Sequence, residues 1–171
     1  MGDLAVRHVH EKMKGPLQET SLTAIANVIQ EVDQTRAFVV SRDEPDFSAW
    51  TFFHEFEQKP GFHLFALMYR SQVAGFISIL PNEDRDTLDI GPMYVRPQFR
   101  GLGLGHTQVK AVVEWAESRQ IKHLTIRTWG ENIRVKRIVK KLGFRLDKEI
   151  PNARIDGDST VYYVLDIDDL R

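Results

Sequence analysis

The sequence predicts an α/β domain built on a mixed, mostly antiparallel central sheet of about seven strands, flanked by about four helices. Two apolar runs, at residues 62–69 and 73–80, are separated by only three residues, which predicts an antiparallel hairpin. In the second half of the chain, helical apolar patterns alternate with strand-like ones, as is typical of α/β proteins. The length of 171 residues suits a single domain, 1–171, with a sizeable buried core.

The composition excludes several classes of protein. The chain contains no cysteine, so it has neither disulfides nor thiolate metal ligands, and no two histidines have metal-ligand spacing on one helix. Its formal net charge of −1 argues against a general affinity for nucleic acid. Residues 1–10 lack the apolar core of a signal peptide, and no apolar run approaches the roughly 20 residues that span a bilayer. We therefore expect a cytoplasmic protein with no metal, no membrane partner and no nucleic-acid partner.

Apolar spacing defines the elements of the first half of the chain. A short opening strand is predicted around Leu4, Val6 and Val9, and Gly15-Pro16 separates it from a helix. The apolar face of that helix comprises Leu22, Ile25, Ile29 and Val32. After a loop at 38–44, Asp46 is predicted to cap a second helix. The second helix carries an aromatic stripe, for which core packing competes with contact to a ligand: Phe47, Trp50, Phe53 and Phe56.

The second half begins with a strand at 87–95 that contains Gly91-Pro92. A proline inside a strand removes a ladder hydrogen bond, so we expect a β-bulge there. A helix at 104–119 and a buried strand marked by Leu124 and Ile126 follow. The next helix, at 131–142, is expected to turn Ile133, Ile138 and Leu142 inward and to end at Gly143. Two strands, at 144–150 and 161–167, close the chain.

The most informative stretch is the turn between the strand at 87–95 and the helix that follows it. Glycine occupies every second position from Gly101 to Gly105, after an arginine, so the backbone can fold tightly and present several N–H groups to one ligand. The positive end of the helix dipole favours an anion at the same place, which predicts a phosphate site. The spacing matches neither the dinucleotide-binding fingerprint, which needs glycine where His106 stands, nor the nucleotide P-loop, which needs a Gly-Lys pair.

The residues that do match resemble the GCN5-related N-acetyltransferases. Gln98, Gly101 and Gly103 fill the coenzyme A turn of that family. Asn132 and the Leu-Gly-Phe sequence at 142–144 resemble the following motif, in which an asparagine opens a helix that ends in Gly-Phe. The resemblance covers nearly the whole chain. It implies an acyl-CoA N-acyltransferase fold in which the fourth and fifth strands diverge, and direct transfer from acetyl-CoA to a primary amine in a ternary complex.

The resemblance also implies a set of site residues. The fourth strand would pair with pantetheine through Met93 and Val95, and backbone N–H groups from Arg100 to His106 would hold the pyrophosphate. Leu102 and Leu104 are expected to serve mainly in helix packing, apart from their backbone groups. The residues predicted to bind coenzyme A are Met93, Tyr94, Val95, Gln98, Arg100, Gly101, Leu102, Gly103, Leu104, Gly105, His106 and Asn132.

Transfer to an amine requires a base, because an amine with a pKa near 10.4 is protonated at neutral pH. Asp89 is the first candidate; strand periodicity puts it on the face of Met93 unless the bulge intervenes, and a solvated carboxylate is the alternative interpretation. Glu131 is the second candidate, where helix capping competes. A backbone N–H of Met93 or Tyr94 is the candidate oxyanion donor, so the predicted catalytic residues are Asp89, Tyr94 and Glu131.

One position departs from the family pattern. Many members carry a tyrosine seven residues after the asparagine, which protonates the leaving thiolate, and here that position is Val139. Tyr162, Tyr163 or an ordered water are the possible substitutes. The departure leaves open an acyl-CoA-binding sensor or interaction module with little turnover, and transfer to a hydroxyl is a third possibility. The acceptor, a small-molecule or peptide amine, would bind around residues 38–53 and 150–163, in a monomer or a homodimer.

The helix after Asn132 is strongly basic. A solvated helix face is the default interpretation, and a contact with the 3′-phosphate of coenzyme A is the functional alternative. The five basic residues are Arg134, Lys136, Arg137, Lys140 and Lys141.

Overall fold

The computed structural model describes residues 15–170, which form one seven-stranded sheet with helices on both faces. The strands are β1 (Leu17–Glu19), β2 (His63–Tyr69), β3 (Gln72–Leu80), β4 (Thr87–Val95), β5 (His123–Trp129), β6 (Arg145–Ile150) and β7 (Thr160–Asp166). The α-helices are α1 (Ala26–Thr35), α2 (Ala49–Phe56), α3 (Leu104–Ser118) and α4 (Ile133–Lys141). Short 3₁₀ turns lie at Thr23–Ile25, Pro97–Phe99 and Ile167–Leu170.

The strand order is β1-β2-β3-β4-β5-β7-β6. All neighbouring strands run antiparallel except β4 and β5, which are parallel. The prediction of a mixed, mostly antiparallel sheet is therefore confirmed. A single parallel pair requires a crossover connection, and α3 supplies it.

The predicted hairpin is β2 and β3. Its turn is one residue shorter than predicted, because Gln72 already pairs with Tyr69. Arg70 and Ser71 both have positive φ angles, 49° and 64°, as a two-residue turn between right-handed strands requires.

The start of the chain differs from the prediction. The opening strand expected around Leu4, Val6 and Val9 lies outside the described residues. Directly after Gly15-Pro16, where a helix was expected next, the structure instead has β1, whose buried Leu17 pairs with Leu67. A strand of three residues is too short to show alternation in the sequence.

Two apolar cores lie on opposite faces of the sheet. Successive β3 residues alternate between them: Ile77 packs into the core under α3 and α4, and Phe76 packs into the core under α1 and α2. The aromatic stripe of α2 is part of the second core, since Phe53 is buried and meets Phe76 edge-to-face at 5.5 Å between ring centroids. Core packing, the first interpretation of that stripe, fits this contact.

The cap of α2 was predicted at the wrong residue. Ser48, not Asp46, is the N-cap, and its Oγ accepts a hydrogen bond from Thr51 N at 3.3 Å. The negative charge at this helix N-terminus comes from Asp33 on α1, whose carboxylate accepts from Ala49 N at 2.7 Å and from Ser48 Oγ at 2.9 Å. A carboxylate from another helix therefore takes the place of the local one.

The inward face of α4 is only partly as predicted. Ile138 and Leu142 pack against the core, but Ile133 is exposed and the fully buried residue is Val139. Ile133 is the first residue after the N-cap Asn132, where the chain has only just entered the helix. Gly143 follows the helix with a φ of 91°, as a C′ residue does.

No helix among residues 15–170 is long and apolar enough to cross a membrane.

Candidate active site

The bulge predicted at Gly91-Pro92 is present in β4. Ile79 pairs with Ile90 and Ile77 pairs with Met93, so β4 has one more residue than β3 between these two pairs. The buried Ser78 holds the bulge, because its hydroxyl donates to the Pro92 carbonyl at 2.9 Å.

The bulge also changes which face each side chain occupies. Asp89 is opposite Leu80, and Met93 is opposite Ile77. Since Leu80 and Ile77 are three residues apart on β3, they lie on opposite faces, and so do Asp89 and Met93. The sequence expectation that Asp89 shares a face with Met93 is corrected by the extra residue.

Beyond the bulge, β4 separates from β5. Their pairing runs from Thr87 with His123 to Ile90 with Ile126, and the described residues after Ile90 in β4 pair only with β3. Arg96 N donates to Ala74 O of β3 at 2.8 Å. Because backbone groups alternate along a strand, the N–H and C=O groups of Met93 and Val95 point away from β3, into the gap beside β5.

The glycine turn lies at the end of this gap. Gly101 and Gly103 have φ angles of 81° and 75°, a left-handed conformation that glycine adopts without strain. Gly103 is the N-cap of α3 and provides no side-chain cap, and the first helical bond is Thr107 N to Gly103 O at 3.0 Å. The N–H groups of the first turn of α3 are therefore available to an anion.

The other residues of the turn differ in exposure. Leu104, the first residue of α3, is buried, but Leu102 is 53% exposed, so the packing role predicted for Leu102 is wrong. Gln98 and Arg100 are exposed, and Arg100 Nε donates to Val95 O at 3.0 Å. A Cβ added at Gly105 would lie 3.1 Å from Ile138 Cδ1, so Gly105 allows the close packing of α3 on α4.

Lys110 of α3 and Lys141 of α4 place positive charge beside His106, at the end of the turn. Burial, and then the charges of Lys141 and Lys110, lower the pKa of His106 below its usual value. Among the five basic residues of α4, Lys136 is half-buried and the others are exposed.

Asn132 fixes the start of α4 beside the gap. Its Oδ1 accepts from Val135 N at 3.4 Å, and its Nδ2 donates to Thr128 Oγ1 on β5 at 2.8 Å. The predicted motif residue thus ties α4 to the strand that diverges from β4.

A cleft of about 700 Å³ opens where the two strands part. Asp89, Met93 and Asn132 line it, together with the loop at 38–44 and the β6–β7 segment. Glu131 is not among the lining residues; it is exposed and its N–H donates to Asp158 Oδ2 at 2.8 Å. The structure therefore brings only one of the two candidate bases into the cleft.

Asp89 is held in place by neutral donors. Its Oδ1 accepts from the Thr125 hydroxyl of β5, and both carboxylate oxygens lie 3.1 Å from Asn82 Nδ2. The side chain is half-buried and free of an ion pair within the described residues. These hydrogen bonds fix the orientation of the carboxylate.

The Tyr94 side chain points to the other core. It is buried, and its hydroxyl donates to Glu31 Oε2 on α1 at 3.1 Å, while Arg96 pairs with Glu31 at 3.3 Å. Burial, followed by the Glu31 carboxylate, raises the pKa of Tyr94, which stays protonated at neutral pH. By strand alternation its N–H points to β3, so Met93 is the better placed of the two candidate oxyanion donors.

Tyr162 and Tyr163, which the sequence could not place, both line the cleft. Tyr163 is opposite Ile126, and Tyr162 is opposite Arg127 with Lys148 Nζ 4.6 Å from its ring centroid. Arg127 and Arg154 also line the cleft and were missed. Nothing in the local sequence around either arginine signals a ligand, because the pairing of β5 with β7 and the fold of the segment before β7 bring them there.

Comparisons with known proteins agree with this geometry. The model of the acetyltransferase (GNAT) family matches residues 27–144, well over half of the chain. A Bacillus subtilis (strain 168) protein named "Putative ribosomal protein bS18-alanine N-acetyltransferase" is 22% identical over 124 residues, 71% of this chain and 80% of that protein.

Solved structures share the fold. The ribosomal-protein-S18-alanine N-acetyltransferase of Escherichia coli aligns with a TM-score of 0.68 at 19% identity, covering 88% of this chain and 94% of that chain. The protein yncA of Salmonella typhimurium, solved with its cofactor acetyl-CoA, aligns with a TM-score of 0.71 at 15% identity, covering 88% of this chain and 92% of that chain. The chain therefore belongs to the acetyltransferase (GNAT) family, and N-acetyltransferase is the enzyme class that this membership supports.

Proposed function

We propose that the protein transfers an acetyl group from acetyl-CoA to a primary amine of a small molecule or a peptide, by direct transfer in a ternary complex. The observation that carries this proposal is the gap between β4 and β5, which ends at a glycine turn with free backbone N–H groups. The β4 edge of the gap offers backbone N–H and C=O groups that pair with no other strand. The glycine turn at the end of the gap offers a site for an anion. A pantetheine chain with a pyrophosphate has this combination of amides and negative charge.

The donor would be held mostly by backbone. Met93 and Val95 would bond the pantetheine amides as an added strand, with Arg100 releasing the Val95 carbonyl. The N–H groups of residues 101–106 would hold the pyrophosphate; the Arg100 N–H, which was also predicted to bind it, instead donates to Pro97 O at 3.2 Å. The exposed basic face of α4 is the candidate contact for the 3′-phosphate.

Asp89 is the proposed base. Acetyl-CoA supplies an acetyl thioester; Asp89 accepts the proton of the acceptor ammonium, directly or through one water, so that the neutral amine can attack. The Met93 N–H then stabilises the negative charge that develops on the carbonyl oxygen. The C–N bond forms, the C–S bond breaks, and the sulfur leaves as a thiolate. The nitrogen loses its second proton to water in the cleft, and this proton balances the one that the thiolate takes up.

The thiolate must take up a proton from a group other than residue 139, because Val139 is apolar and 0% exposed. Tyr163 lines the cleft beside Ile126 and is the proposed donor, with water as the alternative. A thiol pKa near 8.5 makes protonation by water feasible, so the loss of the family tyrosine is compatible with turnover.

The second candidate function is an acyl-CoA-binding module without turnover, which the burial of Val139 favours. One experiment separates the two. Binding of acetyl-CoA is measured by isothermal titration, and thiol release is followed with a panel of amines that includes a peptide with an N-terminal alanine, the acceptor type in the names of two relatives. Binding with amine-dependent release supports the enzyme, binding without it supports the module, and no binding contradicts both.

A further inference from the structure

We infer that the acceptor end of the cleft holds a carboxylate-binding pair, Arg127 and Arg154, and that the acceptor is a small amine carrying a carboxylate, of the amino-acid type. This inference rests on the proposed function and names the acceptor class of the same site. Both arginines line the cleft, and they are close enough for the charge of Arg127 to lower the pKa of Arg154.

Arg127 is placed relative to the proposed base by β5 itself. Thr125, which bonds to Asp89, and Arg127 are two residues apart on this strand, so their side chains share a face about 7 Å apart. The Arg127 side chain is exposed to the cleft and takes part in no ion pair within the described residues. One amino-acid-sized molecule can therefore reach Asp89 with its amine and Arg127 with its carboxylate.

Arg154 lies further along the same side of the sheet. It is half-buried, and its Nε donates to Thr160 Oγ1 at 2.9 Å and its Nη1 to Val39 O at 2.7 Å. Both partners are neutral, and no carboxylate among residues 15–170 forms an ion pair with it. Burial, and then the charge of Arg127, lower the pKa of Arg154. Two guanidinium groups in one cleft, neither of them in an ion pair within the described residues, are stabilised by a bound anion.

The acidic groups near this pair fit the same acceptor. Asp158 and Asp156 are close to Arg154, but both carboxylates accept from backbone N–H groups: Asp158 from Glu131 and Ser159, and Asp156 from Asp158. Asp43, Glu44 and Asp147 line the cleft together with Asp89 and attract a cation. A cleft with both signs of charge favours a molecule that carries an ammonium and a carboxylate over a simple amine.

The test uses the twenty free amino acids and their carboxamides, each with the wild type and with Arg127→Gln, Arg127→Lys and Arg154→Lys. Acetylation is measured as KM and kcat, and binding in the presence of coenzyme A is measured by isothermal titration, which needs no turnover. Arg119→Gln is the control, because Arg119 stacks on Trp115 outside the cleft and its loss removes one positive charge.

We expect at least one free amino acid to be bound and acetylated in preference to its carboxamide. Arg127→Gln should raise the KM of that acid about 10- to 100-fold, the usual worth of a charged hydrogen bond, with little effect on the amide. Arg127→Lys should restore part of the preference, and Arg119→Gln should keep all of it. Arg154 also donates a hydrogen bond to the carbonyl of residue 39, so Arg154→Lys could fold poorly. In that case the Arg127 variants decide the result.

Three results would each overturn the inference. The wild type could acetylate the free acid and its carboxamide equally well, Arg127→Gln could lose activity on both to the same extent, or the wild type could bind no free acid. Acid-selective binding that Arg127→Gln abolishes, without any acetylation, would support the carboxylate pair and contradict the proposed enzymatic function. Acetylation of amines without selectivity for the acid would support the proposed enzymatic function and contradict the carboxylate pair. The two proposals therefore fail in different ways.

Discussion

The Ser78 hydroxyl donates a hydrogen bond of 2.9 Å to the Pro92 carbonyl, across the extra residue of the β4 bulge. Ser78 is buried, and the bulge that it holds is where β4 leaves β5. A Cβ added at Gly91 would lie 2.6 Å from Ser78 Oγ and 2.8 Å from Leu80 Cγ. The close approach of β3 thus requires glycine at 91, and the opening of the sheet depends on it.

Gly91→Ala should destabilise the fold by about 1–3 kcal/mol, because an added methyl group in a packed site forces its neighbours to shift. It should also weaken acetyl-CoA binding, since the shift reaches Met93. Thermal unfolding and isothermal titration measure the two effects. Gly15→Ala, which adds a methyl group in open space away from the cleft, is the control for acetyl-CoA affinity. Unchanged stability and affinity in Gly91→Ala would contradict the role given to the bulge.

Gly103→Ala should weaken acetyl-CoA binding, because an alanine at a φ of 75° costs roughly 1 kcal/mol and moves the N–H groups of the turn. Gly15 has a φ of 104° and open space around it, away from the cleft. Gly15→Ala should therefore lose a similar amount of folding stability through backbone strain and keep its affinity for acetyl-CoA. Titration of both variants checks the prediction, and an equal loss of affinity in the two would argue against a specific anion site.

Asp89→Asn should lower kcat about 10²- to 10⁴-fold, the usual contribution of a general base, and leave the affinity for acetyl-CoA nearly unchanged. The amide oxygen can still accept from Thr125, so the fold should persist. Asp86→Asn, which removes an exposed carboxylate paired with Lys122 at 3.1 Å, is the control and should keep full activity. Glu131→Gln should also remain active. Rates of thiol release decide the matter, and wild-type turnover in Asp89→Asn would remove Asp89 from the mechanism.

The pyrophosphate site should take up a proton when it is filled. In the free protein the pKa of His106 is lowered, first by burial and then by Lys141 and Lys110, so its imidazole is neutral at pH 7. A bound pyrophosphate would raise that pKa, and affinity for acetyl-CoA should therefore increase as the pH falls from 8 through the bound-state pKa. Titration in buffers of different ionisation enthalpy measures the proton uptake. An uptake that His106→Gln leaves intact would assign the effect to another group.

Gln108 is a position where polarity costs stability. It is fully buried in α3, and neither atom of its amide has a hydrogen-bond partner within the described residues. Gln108→Met keeps the approximate volume and should stabilise the protein by about 1–2 kcal/mol, since a buried unsatisfied polar group is unfavourable. Gln30→Met, at an exposed position of α1, should change little. A lower melting temperature in Gln108→Met would mean that the amide has a partner in solution.

The features that could be predicted from sequence are those in which a residue type itself dictates the backbone. Gly101 and Gly103 predict the turn because only glycine takes its φ angles without strain, and Gly91-Pro92 predicts the bulge because proline cannot donate to the ladder. The hairpin and the helices that flank the sheet were predicted from apolar periodicity.

The features that could not be predicted depend on contacts between distant segments. Asp89 and Met93 are on opposite faces because of one residue inserted into β4. The α2 cap depends on Asp33, which belongs to another helix. Arg127 and Arg154 come to line one cleft only through the pairing of β5 with β7 and the fold of the segment that precedes β7, so no local pattern marks them.

The central claim is that the opening between β4 and β5 serves acetyl transfer to an amine. Thiol release from acetyl-CoA, followed with and without the amine panel, tests it most directly. The expected result is release that requires both an amine and Asp89, with a mass increase of one acetyl group on the acceptor. Release that no amine accelerates, in protein that binds acetyl-CoA, would contradict the claim.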